Sequence, residues 1–418
     1  MIGQLGTFDV ENYGDLLYPI VFRHLLKTKD PNLQVKYYSP LPGAGPNEAG
    51  FETESIRSLF QNGHAAPRTL VIGGGDILRT DWDLVARHYG RSSRLSQKRL
   101  RHAIGTEAAL GYTLSKKLPR VERGRFFAKR FRKRWLDYPA AGPFLIHPQA
   151  LPKQTTVAYV SCGVPHEFSS DQVDEVRETL EHASLIALRD EQSAEKLVAA
   201  GINCELRVAP DLIVTLSDQF DRKELIGRAR KILSHLGVRE DHPILCFQSQ
   251  PYPGFLESDI LRELRRYKER RNVEVVALPL GYCHGDHEFL KSLAKQSNGV
   301  VKYAGVYSIF DMLAIIAASD LFVGTSLHGN ITAFSFGIPH VFGPLPVAKA
   351  EGFLKVTNLP VELKMHSWKE LNDKIDEATM LSSDFFLNKA HEAKARVYEV
   401  VDELICRIKR INGFRNPK

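Results

Sequence analysis

Short apolar runs alternate with amphipathic segments along nearly the whole chain. This alternation is typical of strands that cross over through helices into parallel sheets. The predicted strands are, in chain order, residues 2–5, 35–38, 70–72, 157–161, 185–188, 206–208, 244–247, 273–278, 300–303, 321–323 and 340–342. The helices predicted between most of them are residues 15–27, 171–182, 191–200, 222–236, 257–270, 286–295 and 308–318.

The pattern predicts an α/β fold with two doubly wound domains and a long terminal helix. A chain of 418 residues exceeds one ordinary core, since a domain averages roughly 100–200 residues. We expect Rossmann-like domains over 1–215 and 216–375, and a helix within 376–418 that packs back on the body. That helix, predicted over 384–411, has an apolar stripe of the helical period. The stripe consists of Leu387, Ala390, Val397, Val401, Leu404, Ile408 and Ile411.

The composition is that of an ordinary globular protein, with 43% hydrophobic and 25% charged residues. No apolar run approaches the ~20 residues that cross a bilayer, and the N-terminus lacks the basic and apolar regions of a signal peptide. Five scattered cysteines without CxxC spacing argue against disulfides and against a structural zinc site. We therefore expect a cytoplasmic protein with reduced thiols.

The net charge of +7 is unevenly distributed, because the chain contains a basic insertion at about 81–143. Within it, the segment from Lys116 to Arg134 carries ten Lys or Arg residues and one Glu. Such a segment suits nucleic acid, an anionic membrane or an acidic polymer, and its interleaved aromatic residues favour a surface-binding helix. A solvated helix face is an equally good explanation. We predict peripheral contact with the inner membrane face and no nucleic-acid partner.

A first polar motif, Asn12-Tyr13-Gly14-Asp15, follows the opening strand and precedes a helix predicted to begin near Leu16. Asn and Gly tolerate the left-handed backbone of a tight turn, and Asp15 can cap the helix. That is a complete structural explanation. Loops at the carboxyl ends of strands also line the ligand crevice of open α/β sheets, so a binding role is equally open.

A second motif, Gly73-Gly74-Gly75-Asp76, is predicted to follow a strand directly. Three glycines let the backbone approach a ligand closely and present N–H groups to an anion. The motif is neither GxGxxG nor a P-loop, so it does not indicate a dinucleotide or ATP site. A tight turn is the alternative, but two glycines would suffice for one, and we favour a binding role.

A third motif places Arg189 and Asp190 where an apolar strand gives way to a helix. A cation at that edge of a sheet suits a phosphate or a carboxylate, because the guanidinium offers a planar fork of donors. A surface pair of Arg189 with Asp190, or a helix cap by Asp190, explains the motif without a ligand. The motif alone favours that second explanation.

The most informative motif runs from Thr325 through Ser326 and His328 to Gly329. A strand ends just before it, hydroxyl residues supply a candidate cap, and a helix of small and apolar residues is predicted up to Gly337. His328 then lies on the first helical turn at the positive end of the helix dipole. A lone histidine is more often a packing or solvent residue, but this context favours a chemical role.

Together these motifs resemble the ordered signature of the polysaccharide pyruvyl transferase family. The similarity extends over roughly 12–339, and its motifs are NYGD at 12–15, GGGD at 73–76, LRDxxS at 188–193 with a later Pro210-Asp211, and TSLHG at 325–329 with Gly-Ile-Pro at 337–339. One departure is Ser326, since many members have Arg immediately before the Leu-His pair. This departure leaves open which cation holds the phosphate.

The resemblance implies a GT-B-like arrangement of the two domains, with the active site in the cleft between them. It implies transfer of the pyruvyl group of phosphoenolpyruvate, a co-substrate, onto hydroxyls of a sugar or a lipid-linked polysaccharide. No other cofactor and no metal are implied. The acid or phosphate-stabilising group would be His328, the anion clamp Arg189 and the acceptor-orienting carboxylates Asp15 and Asp76. Further ligands would be Asn12, Gly73, Gly74, Gly75, Thr325, Ser326 and Gly329.

Two other functions stay open at this point. A nucleotide-sugar glycosyltransferase would share the two-domain fold and could use the same glycine turns. A non-catalytic protein could bind a polyanion or a membrane through the basic insertion. The cluster Cys283-His284-Gly285-Asp286-His287 also contains metal-ligand residue types, but its spacing fits no standard zinc pattern. We expect that loop to face the crevice, with Asp286 beginning the next helix.

Overall fold

The computed structural model describes residues 1–42, 50, 52–60, 66–80, 84–85, 88, 142–152, 155–168, 170–306, 308–345 and 348–411. The segment from Lys116 to Arg134 lies outside these residues, as does most of the predicted insertion. The described chain divides into two compact units. The first unit comprises Met1–Glu11, Asp15–Asp211 and Arg396–Lys418, and the second comprises Asn12–Gly14 and Leu212–Ala395.

The first unit is built on a sheet of seven parallel strands in the order β3-β2-β1-β4-β5-β6-β7. Its strands are β1 Ile2–Leu5, β2 Val35–Ser39, β3 Glu54–Ser55, β4 Thr69–Gly75, β5 Thr156–Cys162, β6 Leu185–Leu188 and β7 Arg207–Val208. Its helices include α1 Tyr13–Lys29, α2 Ser170–Glu181 and α3 Glu191–Ala199. The central strands β1, β4, β5 and β6 are almost wholly buried, as expected when helices cover both faces of a parallel sheet.

The second unit is built on five parallel strands in the order β10-β9-β8-β11-β12. Its strands are β8 Ile244–Gln248, β9 Glu274–Ala277, β10 Val301–Tyr303, β11 Leu321–Gly324 and β12 His340–Phe342. Its helices include α4 Arg222–His235, α5 Glu257–Arg271, α6 Asp286–Gln296, α7 Ile309–Ala318, α8 Leu327–Ser335, α9 Lys349–Val356 and α10 Leu371–Met380. The last helix, α11 Ser383–Ile411, is divided between the two units after Ala395.

The predicted α/β class with two doubly wound parallel sheets is confirmed. Strands β1, β6 and β12 have the predicted bounds. The two-residue strand β3 was missed, because its polar sequence Glu54–Ser55 has no apolar pattern. Helices α9 and α10 were missed too. Helix α8 ends at Ser335 rather than at Gly337, whose φ of 69° is left-handed.

The apolar stripe of α11 is confirmed from Ala390 to Ile408 but not at its first position, and the side chain of Ile411 lies outside the described part of the chain. Leu387 is 45% exposed, and the neighbouring Phe386 is buried in its place. The stripe therefore begins one residue earlier than predicted and continues through Ala390 and Val397. Among the helices of the described ranges, none combines the length and the apolar character that a membrane span requires.

Candidate active site

In each unit the strand order reverses once, between β1 and β4 in the first and between β8 and β11 in the second. In open α/β sheets, ligands bind at the carboxyl ends of the strands beside such a reversal. The residues that follow β1, β4, β8 and β11 are therefore the first candidates for a site. They include the motifs at 12–15 and 325–329 and Asp76 of the second motif, whose glycines end β4.

The three glycines of the second motif are the last residues of β4 rather than residues that follow it. Gly73 and Gly74 lie against the ring of Tyr18, whose hydroxyl donates to the Val160 carbonyl at 2.7 Å. A Cβ at Gly74 would come within 2.7 Å of that ring. Gly74 and Gly75 also have φ of 90° and 81°, which glycine adopts without strain. Packing and backbone conformation thus account for the run, and its binding role stays a prediction.

Asp15 does not cap α1, because the helix begins at Tyr13, earlier than predicted. The side-chain oxygen of Asn12 instead accepts the Gly14 N–H at 3.3 Å. Asp15 lies in the first turn, where a carboxylate interacts favourably with the helix dipole. It faces the end of β4, since a Cβ at Gly75 would lie 3.3 Å from its Oδ1.

Arg189 follows β6 directly, and its side chain is only 5% exposed. Its Nη2 donates to Asp76 Oδ1, its Nε lies 3.7 Å from Asp190 Oδ2, and its Nη1 lies 4.0 Å from Asp211 Oδ2. A surface pair with Asp190 is therefore the wrong description. The helix cap is the right one, because Asp190 Oδ1 accepts the Ser193 N–H at 2.7 Å.

The ion pair of Asp76 and Arg189 has a close glycine neighbour. A Cβ at Gly163 would lie 2.6 Å from Asp76 Oδ1 and 2.7 Å from Arg189 Nε. Burial alone would lower the pKa of Arg189, but the charges of Asp76, Asp190 and Asp211 outweigh it and raise that pKa. The guanidinium is therefore held charged and in place. An anionic ligand would have to compete with three carboxylates for it.

In the second unit, Ser326 caps α8, as predicted from the hydroxyl residues that precede this helix in the sequence. Its Oγ accepts the Gly329 N–H at 3.2 Å. The side-chain amide of Asn330 donates to the carbonyls of Gly324 and Ser326, each at 2.9 Å. These bonds fix the turn between β11 and α8. They leave His328 at the second helical position, on the first turn.

His328 lies against the first motif of the chain. Its half-buried ring contacts Gly14 so closely that a Cβ at Gly14 would overlap Nδ1 and Cγ. Tyr13 holds that segment in place, because its N–H donates to the Leu280 carbonyl at 2.8 Å and its hydroxyl lies 3.1 Å from Thr332 Oγ1. Within the second unit, the structure therefore brings residues 12–14 of the NYGD motif into direct contact with His328 of the TSLHG motif.

Sequence reasoning missed Gln248, the last residue of β8. Its side-chain oxygen accepts from the Ser326 N–H at 2.7 Å and from the Thr325 hydroxyl at 3.2 Å. Its side-chain N–H donates to Asp286 Oδ2 at 2.6 Å. The one feature of the sequence that could have indicated a role for Gln248 is its position at the end of a predicted strand.

Asp286 begins α6, as predicted, and its side chain is buried. Burial raises its pKa to about 6, opposed by hydrogen bonds from Gln248, Gly281 and Leu280. Its neighbour in the cluster, His284, has Nε2 3.5 Å from the Asn12 amide nitrogen. Within the described ranges, no group of three or more His, Cys, Asp or Glu side chains is placed to hold a metal ion.

Comparison with known proteins yields one family. The family model described as polysaccharide pyruvyl transferase matches residues 12–342. No curated protein sequence matches the chain significantly. The matched range begins at Asn12 and ends at Phe342, so it contains the sheet reversal of the second unit and every predicted site residue, whereas strand β1 of the first unit precedes it.

Solved structures with a similar fold are distant in sequence. Anabaena Alr3699/HepE in complex with UDP has a TM-score of 0.54 at 14% identity, covering 98% of this chain and 99% of that one. S. aureus MnaA in a co-structure with UDP has a TM-score of 0.57 at 10% identity, covering 100% and 98%. These similarities concern the fold alone, and they confirm the predicted GT-B-like class.

Proposed function

Because this chain belongs to the polysaccharide pyruvyl transferase family, matched over 12–342, we propose that it transfers the pyruvyl group of phosphoenolpyruvate to a sugar. Two hydroxyls of a polysaccharide or of a lipid-linked glycan would receive the group as a cyclic ketal. The observation that carries this proposal is the contact between Gly14 and His328. It joins the first and last motifs of the family signature around one titratable side chain.

The proposed reaction needs one proton donor, one base and a stabilised phosphate. A proton is added to the methylene carbon of phosphoenolpyruvate, and the adjacent carbon becomes electron-deficient. A sugar hydroxyl bonds to that carbon and gives its proton to a base. The bond from that carbon to the phosphate oxygen breaks as a second hydroxyl attacks. The proton of the first hydroxyl replaces the one added to the methylene carbon, and the proton of the second hydroxyl leaves with the phosphate, so the products are the ketal and hydrogen phosphate.

His328 is the proposed acid or phosphate-stabilising group. It lies on the first turn of α8, where helix N–H groups and the positive dipole end favour an anion. The Ser326 hydroxyl accepts one hydrogen bond and still has its own proton to donate. The Thr325 hydroxyl already donates to Gln248, and the Gly329 N–H to Ser326. We therefore place the phosphate beside His328 and Ser326.

Asp15 and Asp76 are the proposed partners of the acceptor hydroxyls. Both lie at the sheet reversal of the first unit, and a carboxylate there can accept a hydrogen bond or a proton. The predicted role of Arg189 changes in this proposal. Because Asp76 already occupies its guanidinium, Arg189 orients Asp76 instead of clamping the donor.

The basic segment beginning at Lys116 supports an anionic or lipid-linked acceptor at a membrane surface. This part of the proposal has its own test. Removal of 116–134 should weaken sedimentation with vesicles of anionic lipid, and should leave binding of phosphoenolpyruvate unchanged. Equal sedimentation of the two proteins would contradict membrane contact.

The test of the main proposal is turnover. The protein would be incubated with phosphoenolpyruvate and a panel of hexose and N-acetylhexosamine glycosides, and released phosphate and ketal-bearing product measured by mass spectrometry. We expect phosphate release to depend on both the glycoside and His328. Transfer of glucose from UDP-glucose to the same glycosides, without use of phosphoenolpyruvate, would instead support a nucleotide-sugar glycosyltransferase.

A further inference from the structure

A single buried carboxylate, Asp286, connects the elements on both sides of His328. Its side chain is 1% exposed and lies wholly within the second unit. One of its oxygens, Oδ2, accepts three hydrogen bonds, from the Gln248 side chain at 2.6 Å, from the Gly281 N–H at 2.8 Å and from the Leu280 N–H at 3.3 Å. These donors belong to two different strand ends, those of β8 and β9.

The first connection runs through Gln248 to the turn that carries His328. An ionised carboxylate only accepts hydrogen bonds, so it orients the Gln248 amide with its N–H group towards Asp286. The amide oxygen then points at the opposite side, where it accepts from Ser326 and Thr325. Ser326 is the cap of α8. The start of the helix is thus set by the orientation of one amide.

The second connection runs through Leu280 and Gly281 to the segment that packs on His328. Leu280 accepts the Tyr13 N–H at 2.8 Å, and Gly281 forms an antiparallel bridge with Asn12. Gly14, which follows Tyr13 in the chain, contacts the His328 ring. Asp286 therefore fixes the loop against which this N-terminal segment is placed.

We propose that Asp286 is a positioning residue that holds His328 between the first turn of α8 and Gly14. The proposal rests on the proposed function for its effect on turnover, and on geometry alone for its effect on the histidine. Asp286 acts through Gln248 on one side and through Leu280–Gly281 on the other. Loss of its carboxylate loosens both the turn that carries His328 and the segment in which Gly14 contacts the His328 ring, although Asp286 itself does not contact His328.

Glu274 provides a matched control. It is also a buried acid of the second unit, 2% exposed, but it lies at the beginning of β9, at the opposite edge of the sheet. It is paired with Arg239, Lys268 and Lys302. Its removal deletes a buried carboxylate without touching either connection to His328, so general loss of stability can be separated from loss of position.

The experiment compares Asp286→Ala, Asp286→Asn, Gln248→Leu and Glu274→Ala in the full chain. The rate at which diethylpyrocarbonate modifies His328 is followed by mass spectrometry of the His328 peptide, and kcat is measured in parallel. For Asp286→Ala and Gln248→Leu we expect about a 10-fold change in the modification rate and about a 100-fold loss of kcat, the scale of a misplaced catalytic group. Asp286→Asn retains one acceptor oxygen, so its modification rate and its kcat should both stay close to those of the wild type.

The outcomes separate this inference from the proposed function. A changed modification rate in Asp286→Ala, together with no pyruvyl transfer by the wild type, supports the positioning role and contradicts the function. Unchanged modification and unchanged kcat in a folded Asp286→Ala or Gln248→Leu variant overturn the positioning role. An equal change in Glu274→Ala also overturns it, because the effect would then come from stability.

Discussion

Each of the two units contains a buried charged side chain at the carboxyl ends of its strands, but the two side chains have opposite charge and different partners. In the first unit, the Arg189 guanidinium is surrounded by Asp76, Asp190 and Asp211, so its charge is already compensated. In the second, Asp286 is surrounded by amide and backbone donors, and these lead to the capped start of a helix. The first arrangement holds carboxylates in fixed positions, and the second presents helix N–H groups and a histidine.

This difference changes which unit is expected to bind the anionic donor. Removing one partner of a buried ion pair is strongly destabilising, because the other charge is left buried and unpaired. Arg189 is therefore poorly suited to exchange Asp76 for a phosphate. A helix N-terminus binds an anion without displacing a charge. Under the proposed function, we therefore expect the second unit to bind the phosphate of phosphoenolpyruvate.

The largest effect is expected from His328→Ala, which removes the proposed acid or phosphate-stabilising group of the second unit. If His328 acts as acid or phosphate ligand, kcat should fall by about 10²–10⁴-fold. His366→Ala, an exposed histidine of the same unit, is the control and should leave kcat unchanged. Wild-type turnover in folded His328→Ala would remove this residue from the mechanism.

The next effect is one of stability, in the first unit. Arg189→Ala leaves three acids without their cation and should lower the free energy of unfolding by about 3–5 kcal/mol. Arg177→Ala removes an arginine of the same unit that is 41% exposed and paired with the exposed Asp174, and should lower it by less than about 1 kcal/mol. Urea unfolding followed by circular dichroism measures both. An equal loss of stability in the two variants would mean that the ion pairs of Arg189 with Asp76, Asp190 and Asp211 do not stabilise the fold.

Gly14→Ala should impair turnover by about 100-fold, because the new methyl group overlaps the His328 ring and displaces it. Gly227→Ala in α4 is the matched control. A Cβ there meets nothing within 4 Å, so activity should be unchanged and stability equal or slightly higher. Full activity in Gly14→Ala would show that the placement of His328 by this segment is unimportant for turnover.

The smallest effect concerns pH. Burial raises the pKa of Asp286 from its ordinary 3.8 to about 6, so the folded state binds its proton more tightly than the unfolded state does. Its contribution to stability is therefore fully present below the unfolded pKa and is lost as pH rises through about 6. The stability of wild type minus that of Asp286→Asn should fall by roughly 1 kcal/mol between about pH 5 and pH 8. A difference that rises over this range would contradict the assignment.

Much of the fold could be predicted because parallel strands buried on both faces have continuous apolar sequences. β6 (Leu-Ile-Ala-Leu) is such a run, and β1 and β12 are mainly apolar with one polar residue each; the bounds of all three were predicted correctly. The polar pair Glu54–Ser55 could not be recognised, because a two-residue edge strand has no periodicity. Leu387 fitted the helical stripe as well as Phe386 did, and only the packing partners distinguish them.

The local chemistry was less predictable than the elements. The cap by Ser326 follows from its position before an apolar helix, and the cap by Asp190 was recognised as an alternative. The packing of Tyr18 on Gly73 and Gly74 involves a ring from a distant helix, so a turn or an anion site was the natural interpretation. Gln248 carries no motif at all, and its role depends on partners 38 and 78 residues away.

The most direct measurement of the central claim is the thermal midpoint of the purified protein with phosphoenolpyruvate, with UDP, and without ligand, for wild type and His328→Ala. A ligand that binds only the folded state stabilises it by about 2.7 kcal/mol at a hundred times its Kd. We predict a higher midpoint for wild type with phosphoenolpyruvate, a much smaller increase for His328→Ala, and none with UDP. An increase with UDP and none with phosphoenolpyruvate would contradict pyruvyl transfer from that donor.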